Sequence, residues 1–165
     1  MSLKYLWFRL YWKKTLLHKN AMNKEASFRS NCPISCALDL VGDKWSLLIL
    51  RDMLFFNKTT FKELSSSPEG IASNILANRL SKLEKIGIIS KSAHPTNKKT
   101  RLYSLNDSGW ELLPSLLELF SWFSAQSSEY GRPVSEIESQ ILAEYKSDKD
   151  AFIKQFRSRR EAEVA

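Results

Sequence analysis

Residues 70–105 read GIASNILANRLSKLEKIGIISKSAHPTNKKTRLYSL, and this stretch decides the fold. Its first half carries three leucines at the i, i+4 and i+7 spacing of one helical face, namely Leu76, Leu80 and Leu83. The spacing predicts a helix over about 73–86 that packs through these leucines. Gly87 follows, and a glycine there ends a helix because it adopts the left-handed backbone conformation without strain.

The second half of the stretch predicts a β-hairpin. Two short runs, 88–93 and 100–105, have the residue types of β-strands. The polar sequence PTNKK, residues 95–99, lies between them and suits a hairpin tip because Pro and Asn favour turns. A helix that leads into a hairpin forms half of a winged helix-turn-helix, so the residues before position 70 decide whether that fold is complete.

Two helices are predicted near the start of the folded region. Pro33 suits a first helical position with Cys32 as the cap, and this helix runs to about Val41, where Gly42 stops it. Asp43 then caps a second helix. Because the second helix is apolar nearly all round, we expect it to be the central buried helix.

A third helix completes the pattern. Thr60 and Glu63 form a capping box that opens a short helix, and residues 65–70 have the composition of a turn. Four helices followed by a hairpin predict a mainly α protein with a small β-hairpin, in the α+β class. The arrangement is that of a winged helix-turn-helix.

A fifth helix, capped by Asn106 or Asp107, is predicted to make the dimer interface, and Pro114 should kink it. Its apolar side chains cover more than half of the helical circumference, a surface that one small domain cannot bury alone. The alternative is burial within one chain, under the segment 135–160. The predicted interface residues are Leu112, Leu116, Leu119, Phe120, Trp122 and Phe123.

Three regions follow from these boundaries. Residues 1–31 form an N-terminal arm that is partly dimerising or flexible, 32–128 form the winged helix-turn-helix domain, and 129–165 form a C-terminal helical extension. The arm is apolar and basic, which leaves attachment to a membrane surface as an alternative. No apolar run reaches the roughly 18 residues of a spanning helix, and no cleavage site follows the arm. We therefore expect a cytoplasmic protein with no stable membrane association.

The positive charge is unevenly placed. Residues 1–31 and residues 58–101 each carry a net charge of +6, although the whole chain carries only +7, so the rest of the chain carries −5. A basic block inside the folded region favours an anionic partner, of which nucleic acid is the commonest. A solvated basic face is the alternative.

Double-stranded DNA is the partner that the predicted fold favours. The second helix of a helix-turn-helix enters the major groove, and here its face opposite the leucines carries Asn, Ser and Lys, which bond base edges and phosphates. The basic hairpin can follow the phosphate backbone, and the third-helix N-terminus can bind a phosphate. An ordinary polar surface is the alternative. The predicted DNA-binding residues are Thr59, Thr60, Lys62, Ser73, Asn74, Asn78, Ser81, Lys82, Lys91, Lys98, Lys99 and Arg101.

The residues from Cys32 to Phe123 resemble the HxlR-type regulators, which are related to the MarR group. The resemblance is carried by LDLVGDKWSLLILRD (38–52), FKEL (61–64), the pattern around Arg79 and Leu80, and YSL (103–105). It implies homodimeric winged-helix repressors or activators whose N-terminal and fifth helices form the dimer interface.

The sequence departs from the family pattern at three places. Ala72 stands where the family has a capping Ser, so Ser73 is expected to cap the reading helix, and Ala77 removes a possible phosphate contact. Lys98 and Lys99 replace wing prolines. Cys32 matches a cysteine that some members use to sense oxidants or electrophiles, and a thiol at a helix start is well placed for such reactivity. The alternative is a small residue that packs or caps, and Cys36 is expected to be buried.

An enzyme is not expected. The chain has only two histidines and lacks metal-ligand spacing, a Gly-rich phosphate loop and a nucleophile elbow. We expect no cofactor and make no prediction about a small-molecule effector. The competing class is a winged-helix protein-interaction module that does not bind DNA.

Overall fold

The computed structural model describes residues 28–97 and 99–164. Most of the predicted N-terminal arm and Lys98 lie outside the described residues. The described elements are, in order, α1 (Pro33–Val41), α2 (Lys44–Phe56), α3 (Phe61–Ser65), α4 (Ser73–Lys85), β1 (Ile89–Ala93), β2 (Arg101–Leu105), α5 (Asp107–Trp110), α6 (Leu113–Ser124), α7 (Glu136–Ser147) and α8 (Lys149–Val164). The order α1 to β2 confirms the predicted fold class, mainly helical with one small hairpin.

Local signals set the first two helix boundaries as predicted. Pro33 begins α1 after Cys32, whose side chain makes no capping hydrogen bond. Gly42 follows α1 as its C-cap, and the backbone there leaves no room for a side chain, because a Cβ would lie 2.6 Å from the carbonyl oxygen of Leu38. Asp43 caps α2 by accepting a hydrogen bond of 3.0 Å from the backbone N–H of Ser46.

The main core lies between α2, α4 and the hairpin. Leu50 and Leu76 are fully buried, and Ile89 and Tyr103 close the core from the side of the sheet. As predicted, Gly87 takes a left-handed conformation, with φ of +78°, and turns the chain from α4 into β1. The leucine face of α4 is therefore fixed against α2 while the opposite face points outward.

The wing is attached to the start of α3. β1 and β2 pair antiparallel with Ile89 opposite Leu105. The backbone N–H of Tyr103 donates to the carbonyl oxygen of Thr59 at 2.7 Å, and Thr60 forms a bridge with Leu102. The hairpin and the N-terminus of α3 consequently form one continuous surface.

The predicted fifth helix is divided into α5 and α6, so the prediction of one helix kinked at Pro114 is wrong. Pro114 lies in the first turn of α6, where a residue without an N–H is tolerated because that group has no helical partner. The division also follows from α5, where Gly109 packs so tightly that a Cβ would lie 2.5 Å from the carbonyl oxygen of Ile88. α5 is therefore anchored to the hairpin, and α6 starts anew.

The C-terminal extension is folded onto the rest of the chain. It consists of two helices, α7 and α8, and Ser135 and Glu138 form a capping box at the start of α7. Aromatic side chains of the extension pack on Leu54, Leu113 and Leu117, which are fully buried. Those aromatic side chains are Tyr145, Phe152 and Phe156. Among the described helices, none is both long and apolar enough to cross a membrane.

Candidate nucleic-acid interface

Helix α4 buries its leucine face and exposes the opposite, polar face, although Ala77 is also exposed and Lys82 is half buried. Its three leucines are at most 1% exposed, whereas the predicted reading residues on the opposite face are exposed. That exposed face carries Asn74, Asn78, Ser81 and Lys85. The geometry places hydrogen-bonding side chains on the outer surface of a helix that is rigidly held from behind.

The start of α4 differs from the prediction. Ala72 occupies the N-cap position, and no side chain caps the helix there, so the prediction that Ser73 is the cap is wrong. Ser73 is the first helical residue, so it lies one position past the N-cap, and the N–H of Leu76 donates to the carbonyl oxygen of Ala72 at 2.9 Å. Ser73 itself is exposed on the first turn.

An ion pair connects α4 to the start of α2. Nε of Arg79 donates to Oδ1 of Asp43 at 2.7 Å, and Nη1 of Arg79 donates to Oδ1 of Asn78 at 2.6 Å. Partial burial of Asp43 opposes its ionisation, but hydrogen bonds from Ser46 and Arg79 outweigh that effect and hold its pKa below the ordinary value. Asp43 therefore stays charged while it caps α2 and anchors α4.

Lys82 faces the corner between α1 and α2. Its Nζ donates to the carbonyl oxygen of Asp39 at 3.1 Å and lies 3.9 Å from Oδ2 of Asp43. In this conformation Lys82 holds α4 against α1, so a contact with a partner would require its side chain to turn. It remains a predicted DNA-binding residue, but one that is half buried.

The described basic residues of the wing are exposed. Lys91, Lys99 and Arg101 all reach solvent, and Nζ of Lys91 also lies 5.9 Å from the centre of the Tyr103 ring. The ring of His94 stabilises the tip, because its Nδ1 accepts hydrogen bonds from the backbone N–H groups of Thr96 and Asn97, at 3.3 and 3.2 Å. Lys98 was predicted to lie at this tip but is outside the described residues.

The N-terminus of α3 already holds an anion from its own chain. The Glu63 carboxylate accepts the backbone N–H groups of Thr59 and Thr60 at 2.9 and 2.8 Å. Burial raises the pKa of Glu63, but these hydrogen bonds outweigh it and lower the pKa overall. The N–H groups of Thr59 and Thr60 are therefore not free to bind a phosphate, which would meet the exposed Lys62 at this end of α3.

Sequence reasoning missed a buried carboxylate behind the interface. Asp52 is 1% exposed and accepts hydrogen bonds from Arg51, Lys58 and Ser67. Arg51 also pairs with Glu69, so the turn between α3 and α4 is joined to α2 by ionic contacts. The signal in the sequence was the pair Arg51-Asp52 inside an otherwise apolar helix.

The predicted dimer residues lie on two sides of α6. Leu112 and Leu116 pack inward, against the main core. Leu119 and Trp122 are 51% and 62% exposed and point away from the chain. Phe120 and Phe123 are half buried, and the Phe123 ring stacks on a neighbouring tyrosine. The C-terminal extension thus covers one side of α6 and leaves an apolar outer side.

The two cysteines are close to each other in sequence but differ in surroundings. Both are reduced and half buried, so the expectation of a buried Cys36 is wrong, because α1 lies at the surface. Sγ of Cys36 lies 3.3 Å from the carbonyl oxygen of Ser30. Nowhere in the described ranges do three His, Cys, Asp or Glu side chains come together as a metal site would require.

The helix pair α3–α4 with its attached hairpin defines a winged helix-turn-helix protein. The sequence model of the HxlR-like helix-turn-helix family matches residues 40–131, more than half of the chain. The chain belongs to this family and is a transcriptional regulator of the HxlR type, as the sequence predicted.

Three comparisons illustrate the relationship. The chain is 33% identical over 102 residues to sll1512 of Synechocystis sp., an uncharacterized HTH-type transcriptional regulator, across 59% of this chain and 75% of that protein. The crystal structure of the transcription-factor candidate PA1607 matches with a TM-score of 0.53 and 37% identity, over 58% of this chain and 65% of its own. The oxidized form of the redox regulator HypR matches with a TM-score of 0.50 and 26% identity, over 57% of this chain and 96% of its own.

Proposed function

We propose that this protein binds palindromic operator DNA as a homodimer, with α4 in the major groove and the wing along the phosphate backbone. The observation that carries the proposal is the exposed Asn, Ser and Lys face of α4, whose leucine face is fully buried. A side chain that contacts a base edge must be exposed, and it must project from an element that is held firmly in place. Helix α4 meets both conditions, because its polar face is exposed and its leucine face is packed in the core.

The outer side of α6 supports the dimer. Leu119 and Trp122 are large apolar side chains exposed on one helix face, and monomeric proteins rarely leave such a patch uncovered. A two-fold dimer would present two copies of α4 about 34 Å apart, one turn of DNA, to a palindromic site. Dimerisation and operator reading are therefore two parts of one proposal.

A binding measurement tests the DNA proposal. Operator DNA would be selected from a random duplex library with the full chain, and affinity would be measured by fluorescence anisotropy at increasing salt. We expect affinity to fall steeply with salt, because binding releases counterions from phosphates. The variant Lys98→Glu/Lys99→Glu should lose about tenfold or more in affinity, since it reverses two charges on the wing.

A matched variant separates wing contacts from general charge. Lys146→Glu/Lys154→Glu makes the same change in net charge on exposed residues of the C-terminal extension. An equal loss of DNA affinity in this variant would mean that the wing lysines act only through the net charge of the protein and not through a local contact with DNA. If the wild type selects no sequence and binds no duplex even at low salt, the protein is better described as the alternative, a winged-helix protein-interaction module.

Cys32 carries the proposed redox response. It lies at the N-cap of α1, is reduced and half buried, and the regulator HypR, which matches in structure, is described as a redox regulator. After mild peroxide or aldehyde treatment, mass spectrometry should show a modified Cys32, and fluorescence anisotropy should show an altered affinity for DNA. Neither change should occur in Cys32→Ser. An unmodified Cys32 with unchanged DNA binding would rule this part out.

A further inference from the structure

A cavity of about 310 Å³ lies between the C-terminal extension and the winged helix-turn-helix domain. Its walls come from the end of α2 and the loop after it, from β2, from α5 and from α8. This volume is at the lower end of the ~300 to 1,000 Å³ that is common for small-molecule sites. Helix α8 lies beyond residues 40–131, the part of the chain that the family's sequence model matches. The cavity therefore has one wall that this chain adds to the family's domain.

Most of the surface inside the cavity is apolar. Met53, Tyr103, Leu105 and Trp110 line it, and two of these four residues are aromatic. Aromatic rings pack favourably against one another, so this lining suits a ligand with a ring. A ligand made only of polar groups would give up its hydration there without gaining enough partners.

One cation in the wall lacks a full set of hydrogen bonds. Arg160 lines the cavity, and its side chain is only 16% exposed. Nε donates to the carbonyl oxygen of Leu54 at 3.1 Å, and Nη1 donates to Oε2 of Glu163 at 2.6 Å. Nη2 is buried and has no hydrogen-bond partner among the described residues. Because a buried donor without an acceptor is costly, a ligand oxygen bound to Nη2 would be stabilising.

The other charged residues that line the cavity already have partners of opposite charge. Nζ of Lys58 donates to Oδ2 of Asp52 at 2.8 Å, and Oε1 of Glu161 accepts from Nε of Arg157 at 2.7 Å. Arg160 is thus the lining cation with a donor to spare. A guanidinium binds a carboxylate more strongly than it binds a neutral acceptor, so the polar end of the ligand should be a carboxylate.

We propose that this cavity binds a small aromatic carboxylate, with the ring against the apolar walls and the carboxylate on Arg160. A bound ligand should also affect the wing. Two of the lining residues, Thr59 and Tyr103, form the 2.7 Å backbone hydrogen bond that attaches β2 to the start of α3. The binding site does not depend on the proposed function, whereas the effect on the wing is measured through DNA affinity and so rests on it.

Isothermal titration calorimetry of the full chain tests the site with three probes. They are hydrocinnamate, its amide, and propionate, which keeps the carboxylate but has no ring. We expect hydrocinnamate to bind with a dissociation constant of about 1 mM or below. The neutral amide should bind about tenfold more weakly, and propionate should show no saturable binding. Absence of saturable hydrocinnamate binding, or an amide of equal affinity, would overturn the proposal.

Two variants assign the binding to this cavity. Arg160→Met removes the donors, so it should weaken hydrocinnamate binding about tenfold and abolish the difference between the acid and the amide. Ser104→Trp places a large ring at an exposed lining position and should block binding while Arg160 is unchanged. Arg159→Met is the matched control, because Arg159 is exposed on the same helix and does not line the cavity.

Circular dichroism and the melting temperature show whether each variant is folded, and Ser104→Trp decides the question if Arg160→Met is not. Wild-type affinity for hydrocinnamate in a folded Arg160→Met or Ser104→Trp would place the ligand elsewhere. An equal loss of affinity in Arg159→Met would mean that the acid responds only to the net charge of α8.

DNA affinity tests the effect on the wing. Saturating hydrocinnamate should change the affinity of the wild type for the selected operator by about fivefold or more, and it should leave the affinity of Arg160→Met unchanged. An operator affinity that does not respond to bound hydrocinnamate would overturn this effect while the calorimetric site stands. If the wild type selects no operator at all, the proposed function has failed, and calorimetry still decides whether the cavity binds the acid.

Discussion

Nζ of Lys58 lies 2.8 Å from Oδ2 of Asp52, a carboxylate that is only 1% exposed. Asp52 belongs to the central helix, Lys58 to the loop after it, and both contact Ser67, which lies in the turn before α4. The contact therefore ties the turn before α4 to the central helix through charge, in addition to the apolar packing of the α4 leucines.

Removing this carboxylate should destabilise the fold. Asp52→Ala leaves Lys58 and Arg51 without their buried partner, and breaking a buried pair typically costs about 3–5 kcal/mol. Urea denaturation followed by circular dichroism measures the free energy of unfolding. The free energy of unfolding should fall less in Asp52→Leu/Lys58→Met than in Asp52→Ala, because the double variant leaves no unpaired lysine.

Glu144→Ala is the control for that series, because Glu144 is exposed and a surface change costs at most about 0.5 kcal/mol. If Asp52→Ala unfolds at the same urea concentration as the control, the contacts of Asp52 contribute nothing to stability.

The pair between Arg51 and Glu69 predicts a loss of stability in acid. The hydrogen bond from Arg51 lowers the pKa of Glu69 from its ordinary 4.5 to about 2 in the folded chain. The unfolded chain therefore binds this proton first as pH falls, so the stabilisation is complete above pH 4.5 and is lost between 4.5 and about 2. The melting temperature as a function of pH should fall more over this interval in the wild type than in Glu69→Gln.

Glu129→Gln serves as the comparison, because Glu129 is exposed and forms no ion pair within the described ranges. It should follow the wild-type curve. Parallel curves for the wild type and Glu69→Gln would show that the carboxylate of Glu69 is not stabilised by Arg51.

The outer side of α6 predicts the effect of charge on assembly. Leu119→Glu/Trp122→Glu places two carboxylates where a partner's apolar surface would otherwise lie, so we expect a shift from dimer to monomer in sedimentation equilibrium. Ile137→Glu/Ile141→Glu is the matched control: both side chains are exposed but lie on α7, outside the predicted interface. A dimer that resists the first variant and dissociates in the second would place the interface on α7.

Local signals predicted most of the fold, and long-range contacts account for what they missed. Asp43, the pair Thr60–Glu63 and Gly87 each act within a few residues, and each forms the structure its type predicts. Asp52 is different, because its burial depends on Lys58 and on Ser67, which is 15 residues away. The pair Arg51-Asp52 marks a polar point in an apolar helix, but a charged residue in a helix is ordinarily exposed, so this local pattern does not identify Lys58 and Ser67 as the partners that enclose Asp52.

The candidate site shows the same distinction. The leucine spacing correctly predicted which face of α4 is buried, and hence that Asn74 and Asn78 are exposed. It could not predict that Lys82 turns toward Asp39, 43 residues earlier, or that Arg79 reaches Asp43, 36 residues earlier. Such contacts depend on how α1, α2 and α4 meet, which periodicity does not specify.

Tyr145 predicts how firmly the C-terminal extension is docked. It is 1% exposed, packs with Leu54, Leu113 and Leu117, and donates its hydroxyl to Oε1 of Glu118 at 2.7 Å. Tyr145→Ala should cost about 3–5 kcal/mol, as for other large buried aromatic residues. Tyr145→Phe should cost about 1 kcal/mol for the lost hydrogen bond. Ile137→Ala, at a side chain that is 70% exposed, should change stability by about 0.5 kcal/mol or less.

A pH titration gives a second, independent measurement of the same contact. Burial, with the hydrogen bond to Glu118, raises the pKa of Tyr145 from 10.0 to about 12 in the folded chain. The folded chain therefore retains the proton longer than the unfolded chain, so stability falls as pH rises from 10 to about 12. Tyr145→Phe should lack this alkaline loss. If it shows the same loss, and Tyr145→Ala unfolds like the wild type, then α7 is not held against α6 by this residue.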